Sequence, residues 1–434
     1  MTRYAQAKVL QLLKNLERGR LNILIDLEFD NKPHLLSFGE EGHNLEYEAI
    51  ITVKRSTFWT RVFWHMDRGF AEAFMLGEAD CDDLVKLFII IIRNREELKS
   101  TPLAMKLLQY AFQPLKEALL RKTNTVPTAL ENVVAHYDIS NDHFASFLSP
   151  DMSYSCPIWT PTHLIDHEES LEVAQLRKID NIIKLTQIQP NDHCLDIGGG
   201  WGSLAIEAVK RTGCRFTVTT LSVKQKEWGE ARILREGLKD KINYVLCDYR
   251  RTPSPPGGYD KVISIEMLEH VGRKYMKDFF ASIHHLVKPV GGRVFIQAIT
   301  ITEEQHNQIS NKGNFVGRYI FPGTYLASTY MLLDSLHKGS RGKLEVETVQ
   351  SIGPNYAKAL RLWREKFLSS WADGNPLNRN IGTHLNQAEL FAFKQKWIYW
   401  FSYMEALFRE DICGTHVIVS TRNPNTNLFE GVPL

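Results

Sequence analysis

The stretch Leu195-Asp196-Ile197-Gly198-Gly199-Gly200-Trp201-Gly202-Ser203 carries the strongest chemical signal in the chain. A strand-like run ends at Asp196-Ile197, glycines then let the backbone turn tightly against a ligand, and a helical pattern starts after Gly202. The spacing is G-x-G-x-G and lacks the third glycine of the dinucleotide fingerprint. The next strand-like run ends in Thr219-Thr220-Leu221-Ser222, without the acid that normally holds the ribose of a nicotinamide cofactor. Asp196, Gly198, Gly200 and Gly202 therefore fit a methyltransferase turn that faces a sulfonium amino acid, and oxidoreductase chemistry is disfavoured. Asp248, just past the run Asn243 to Leu246, has two readings: an acceptor for an adenine amino group, or the cap of a helical turn.

Other reactive side chains are ambiguous taken one at a time. Cys156 reads as a small core residue or a site thiol, and Glu269 as a solvated helix residue or a buried acid. Gln297 ends an apolar strand, where a buried amide demands partners that an anion, a hydroxyl or backbone groups can supply. His270 reads as a hydrogen-bonded packing residue. The six cysteines lack C-x-x-C spacing, so neither a metal site nor a disulfide framework is expected, and a reducing compartment suits them.

These residues need a scaffold, and 434 residues suffice for two or three domains. From about 176, strands at His193 to Ile197, Phe216 to Thr220, Asn243 to Leu246, Lys261 to Ile265 and Gly292 to Ile299 alternate with helical patterns. That order predicts an α/β domain over 126–423, a doubly wound, mostly parallel sheet with helices on both faces. Its start, 126–175, reads as an irregular connector; its end, roughly 345–422, as a long helix and a final strand, Thr415 to Ser420. Residues 1–125 predict a smaller α+β domain, with strands at Leu21 to Ile25 and Tyr47 to Val53, and 424–434 a loose tail. Lys54 to Phe63 mixes cations with Phe58, Trp59 and Phe63, which suits either a lipid interface or core packing at a strand-to-helix junction. The apolar run Leu84 to Ile92 is about half the length needed to span a bilayer. With no signal-peptide pattern at the start, the expectation is a cytoplasmic protein that meets membranes peripherally, without a transmembrane span. Basic and acidic residues number 52 and 50, which excludes bulk attraction to nucleic acid.

Seven segments, in order, resemble the cyclopropane fatty acid synthase family, which includes the mycolic acid cyclopropane synthases. They are His136-Tyr137-Asp138 with Asn141-Asp142; Met152 to Cys156; the glycine turn; Thr220-Leu221-Ser222 with Gln225; Cys247 to Arg250; Glu266 to Gly272; and Tyr319 to Gly323. The resemblance covers about 125–420 and implies a Rossmann-like class I methyltransferase fold. Residues 1–125 look like the extra domain of full-length bacterial synthases, serving acyl delivery or homodimer contacts.

The resemblance further implies S-adenosylmethionine as cofactor and the double bond of an unsaturated phospholipid acyl chain, at a membrane surface, as substrate. The alkene takes the methyl carbon, and a bound bicarbonate ion removes a proton as the cyclopropane closes. Carried over, Cys156 and Glu269 match the bicarbonate site, Ile299 offers its backbone there, and Tyr356 faces the ion. Tyr154, Ser155, Thr220, Gln225 and Ile265 match cofactor contacts. Gln297 departs from the family's histidine: it can donate but cannot take up a proton, which opens a methyl-branched product as an alternative. A small-molecule O- or N-methyltransferase on the same sheet, and a catalytically silent lipid-binding protein, are the other readings.

Overall fold

The structure is a computed structural model that describes residues 2–27, 33–42, 45–98, 140–309, 315–371 and 386–422. His136-Tyr137-Asp138, the expected boundary near 125 and the tail at 424–434 lie outside the described residues.

The chain divides into two units. The first draws on Met1–Lys122, Asn311–Ile320 and Trp363–Asp411. Its sheet has the order β2-β1-β3-β4, from β1 (Arg20–Ile25), β2 (His34–Gly39), β3 (Glu48–Val53) and β4 (Ala79–Cys81). Leu21, Ile23 and Ile25 of β1 and Ala49, Ile51 and Val53 of β3 alternate inward as a half-buried sheet requires. The apolar run at 84–92 forms the helix Leu84–Arg93, capped by Asp83, whose carboxylate accepts from the Lys86 N–H at 3.0 Å. Phe58 and Trp59 are 3% and 1% exposed and Phe63 is buried too, so of the two readings of this segment the structure gives core packing.

The expected assignment of all of 126–423 to one domain differs from this division. The helix Gln387–Arg409 belongs to the first unit, where Tyr399 packs its ring on Phe70, Phe74 and Phe88 at 6.1, 6.0 and 5.0 Å between centroids. The physical reason is area: a four-stranded sheet with a few helices buries too little apolar surface by itself, and a later helix completes the layer.

The second unit holds β5 (His193–Ile197), β6 (Arg215–Thr220), β7 (Ile242–Leu246), β8 (Lys261–Ile265), β9 (Gly292–Ile301), β10 (Ala327–Ser328), β11 (Leu344–Ser351) and β12 (Cys413–Arg422). The order is β11-β12-β9-β8-β5-β6-β7, with β10 paired to β9. Strands β5 to β9 run parallel, and β12 and β11 add antiparallel. The sheet is thus doubly wound and mostly parallel, as expected. Two strands of this sheet differ from expectation: the short β10, and the edge strand β11 at 344–351, where the terminal segment is expected to be helical.

The helices Met276–Leu286 and Thr329–Ser340 cover one face, packing Phe279, Phe280, Ile283, Leu332 and Leu336 on Leu195, Ile197, Val262, Val294 and Ile296. Strand alternation turns Asp196 and Gln297 to the other face, where the helix Leu171–Thr186 lies. Strand order reverses at β5, between β6 and β8, and ligands bind such sheets beyond the carboxyl ends of the strands at that point. The glycine turn follows β5, and Glu266 follows β8.

Candidate active site

A cleft opens at this switch point. Gly198 and Gly199 both donate their N–H groups to the Thr219 carbonyl at 3.0 Å, folding the turn back on β6. Gly198 and Gly200 have φ of +78° and +55°, a region that glycine enters without strain. A side chain on Gly198 would also meet Met267 Cγ at 2.8 Å, so this stretch must stay bare for anything to lie along it. Tyr154, Ser155, Asp196, Gly198, Gly200, Thr220, Gln225 and Ile265, all expected cofactor contacts, line the cleft. Thr220 Oγ1 donates to Gln225 Oε1 at 2.6 Å, and Lys178 Nζ donates to Ser155 Oγ at 2.7 Å. Burial lifts the Asp196 carboxyl to about 7, with Lys178 pulling it back. A bare glycine turn, a carboxylate beneath it and polar side chains from β6 and the helix after it fit an amino-acid sulfonium with a nucleoside.

Two expected contacts sit elsewhere. Gly202 (φ +84°) caps the helix Ser203–Thr212 and does not line the cleft. Asp248 is also absent from the lining: it caps the turn Tyr249–Arg251 and binds Arg250 through both oxygens at 2.7 Å. That is the capping role weighed for it; its neighbours Cys247 and Tyr249 line the cleft instead.

Beyond Ile265 a buried carboxylate organises the residues expected to be catalytic, and it is Glu266. Glu266 Oε1 accepts from the Cys156 backbone N–H at 2.8 Å and from Gln297 Nε2 at 2.9 Å; Oε2 accepts from the Tyr356 hydroxyl at 2.8 Å. The Glu266 N–H continues the β8–β9 ladder by donating to the Gln297 carbonyl at 2.7 Å. Burial raises the Glu266 carboxyl, and the three donors and Lys178 pull it down. Glu269, three residues on, accepts the Ile299 N–H at 2.5 Å; burial and then the Glu266 charge push it up to about 8, with backbone donors pulling it back. The two carboxylates therefore differ in environment, one held by side-chain as well as backbone donors and the other by backbone donors. The Cys156 thiol points at the carbonyls of Pro157 and Ile352, at 3.5 and 3.6 Å, and burial raises it well above the ordinary thiol value.

Cys156, Gln297 and Tyr356 thus converge as expected, and Ile299 offers its backbone, but what they hold is protein carboxylate. This donor set does not fit a further bicarbonate ion. The Tyr356 hydroxyl and Gln297 amide are directed at Glu266 and the Ile299 N–H at Glu269. Buried side-chain atoms without a hydrogen-bond partner near these groups are Glu269 Oε2, Gln297 Oε1 and the Thr415 hydroxyl.

Sequence reasoning missed Glu266, Lys178 and His270, all of which line the cleft. A signal for Glu266 existed: an acid immediately after a central parallel strand, beside a glycine turn, lies where such sheets bind ligands. Lys178 carried none, because its buried place depends on the packing of the helix Leu171–Thr186.

A profile of the mycolic acid cyclopropane synthetase family matches residues 124–413, two thirds of the chain. The chain belongs to this family. It is 35% identical over 347 residues, 79% of its own length and 75% of the relative's, to the tuberculostearic acid methyltransferase UfaA1 of Mycobacterium tuberculosis. It is 30% identical to the cyclopropane-fatty-acyl-phospholipid synthase of Escherichia coli, over 78% of this chain and 82% of that one. Among solved structures, the cyclopropane synthase MmaA2 of Mycobacterium tuberculosis superposes with a TM-score of 0.57 at 25% identity, covering 68% of this chain and 98% of that one. The relatives thus include both a cyclopropane-fatty-acyl-phospholipid synthase and a tuberculostearic acid methyltransferase.

Proposed function

We propose that this chain is an S-adenosylmethionine-dependent transferase acting on the double bond of an unsaturated acyl chain in a phospholipid, with a cyclopropane as product. The observation that carries the reading is the juxtaposition of a bare glycine turn over Asp196 with a buried carboxylate cluster at the end of the same cleft.

Bound S-adenosylmethionine supplies an electrophilic methyl carbon on a sulfonium. The chain's part is to bind, orient and deprotonate. Gly198 to Gly200 admit the amino-acid portion, and Thr220 and Gln225 face the nucleoside portion. Addition to an alkene leaves a cation on the acyl chain, and a buried carboxylate, together with the Tyr356 ring at the same site, favours positive charge there. A proton must then leave the transferred carbon. The C–H electron pair closes the ring, or forms a double bond to the new carbon as a step towards a methyl branch. Likeness to the Escherichia coli synthase supports the ring, and likeness to UfaA1 supports the branch as second reading. The membrane is reached from its surface: no helix among the described residues is long and apolar enough to cross one. The first unit serves acyl delivery or contact between two copies of the chain.

The test is incubation of the purified chain with labelled S-adenosylmethionine and vesicles of unsaturated phospholipid. The expected product is labelled lipid heavier by one CH2 that resists hydrogenation at the modified site. A hydrogenatable product of the same mass selects the branched reading. No labelled lipid, from a protein that binds S-adenosylhomocysteine, overturns the proposal.

A further inference from the structure

We infer that Glu266 is the proton acceptor of this transfer, its carboxylate standing where the family resemblance puts a bicarbonate ion, so that the chain needs no added bicarbonate. The inference rests on the proposed alkene alkylation and names the base within it.

Three independent features point to Glu266. Its carboxylate takes the Cys156 N–H, Gln297 Nε2 and Tyr356 hydroxyl at 2.8, 2.9 and 2.8 Å, donors that come from three distant stretches of chain and converge as they would on a small anion. Its backbone sits at φ +49°, in the left-handed region where a side chain costs on the order of 1–2 kcal/mol, so a structure that keeps glutamate there in place of glycine has a use for the carboxylate. It also lines the cleft, next to Met267, whose side chain packs over Gly198. Gln297 belongs to the same arrangement. An amide can donate to Glu266 and cannot itself take up a proton, so the basic role falls to the carboxylate it holds.

The step balances. The alkene π pair forms the bond to the methyl carbon as the carbon–sulfur pair stays on sulfur, giving S-adenosylhomocysteine. A Glu266 oxygen takes one proton from the transferred carbon, and the freed C–H pair closes the ring. Glu266 gives up that proton before the next turnover, so one proton is released for each lipid modified.

The experiment compares the full chain and two variants in buffers stripped of carbon dioxide, with and without sodium bicarbonate, on unsaturated phospholipid vesicles. Wild type is expected to turn over equally in both. Glu266→Gln keeps the shape and removes the base, and should slow turnover by roughly 10²–10⁴-fold while S-adenosylhomocysteine still binds. Glu266→Gly relieves the φ of +49° and vacates the place between the three donors, so bicarbonate should restore part of its activity. Titration with ¹³C-bicarbonate, followed by carbon NMR, should show binding to Glu266→Gly and none to wild type. Wild-type activity that collapses on stripping and returns with bicarbonate, or a Glu266→Gln variant at full rate, overturns the inference and leaves the proposed function standing. Absence of labelled lipid in every arm overturns the proposed function. The ¹³C titration then still decides the inference, since bicarbonate bound by wild type removes it.

Discussion

Replacing Glu269 by glutamine should change how stability depends on pH. In the fold this carboxyl is 5% exposed and rises from 4.5 to about 8, through burial first and the Glu266 charge second. The folded chain therefore holds this proton up to about pH 8, while the unfolded chain releases it near its ordinary value. The stabilising contribution is complete below about pH 4.5 and is lost as pH rises through about 8. Between those limits the loss runs at about 1.4 kcal/mol per pH unit, so from pH 6 to pH 8 wild type should lose roughly 2 kcal/mol. Glutamine has the same shape and does not titrate. Urea unfolding of both proteins at pH 6, 7 and 8, read by tryptophan fluorescence, should give stabilities whose difference moves by that amount, with wild type the steeper. Titrating groups that do not interact with Glu269 cancel in the difference. Profiles parallel within about 0.5 kcal/mol would refute a buried, protonated Glu269.

Three further outcomes are expected. Gly199→Ala places a methyl group against Val218 Cγ1 and Asp196 Oδ2 below van der Waals separation; S-adenosylhomocysteine affinity by calorimetry should fall about tenfold or more, and an unchanged constant counts against the turn as cofactor cradle. With the Asp196 carboxyl at about 7, affinity for S-adenosylhomocysteine, whose amino group is cationic, should rise from pH 6 to pH 8 as the carboxylate ionises. Asp196→Asn should abolish that rise, and a variant that keeps it shows that another group is responsible. Tyr399→Ala removes the ring that packs on Phe70, Phe74 and Phe88 and should cost roughly 3–5 kcal/mol, read as faster hydrogen exchange in Leu84–Arg93. Unaltered exchange there would mean the later helix adds nothing to the first unit.

Much of the second unit was legible because its strands are buried on both faces. Cys194-Leu195 and Val262-Ile263 are 0% exposed, so β5 and β8 each carry a buried apolar core that the sequence displays, and both have the bounds expected of them. The edge strand β11 was not legible for the converse reason. Glu345, Glu347 and Gln350 face outward, and a charged, half-exposed alternation carries little apolar signal. The grouping of Gln387–Arg409 with the first unit was not legible, because sequence proximity says nothing about which apolar surface a helix will cover.

Local periodicity and spacing, written residue by residue, determined strands β5 to β9 and the glycine turn, while the set Cys156, Gln297, Ile299 and Tyr356 came only from the resemblance of separate segments to a family. Tertiary structure decided what that set surrounds. Glu266 read only as the first residue of the segment Glu266 to Gly272; parallel pairing of β8 with β9, which brings Ile265 beside Gln297, turns its carboxylate toward donors up to 110 residues away in the chain. Hydrogen bonding of a buried charge depends on distances between chain segments, and those exist only once the core has closed.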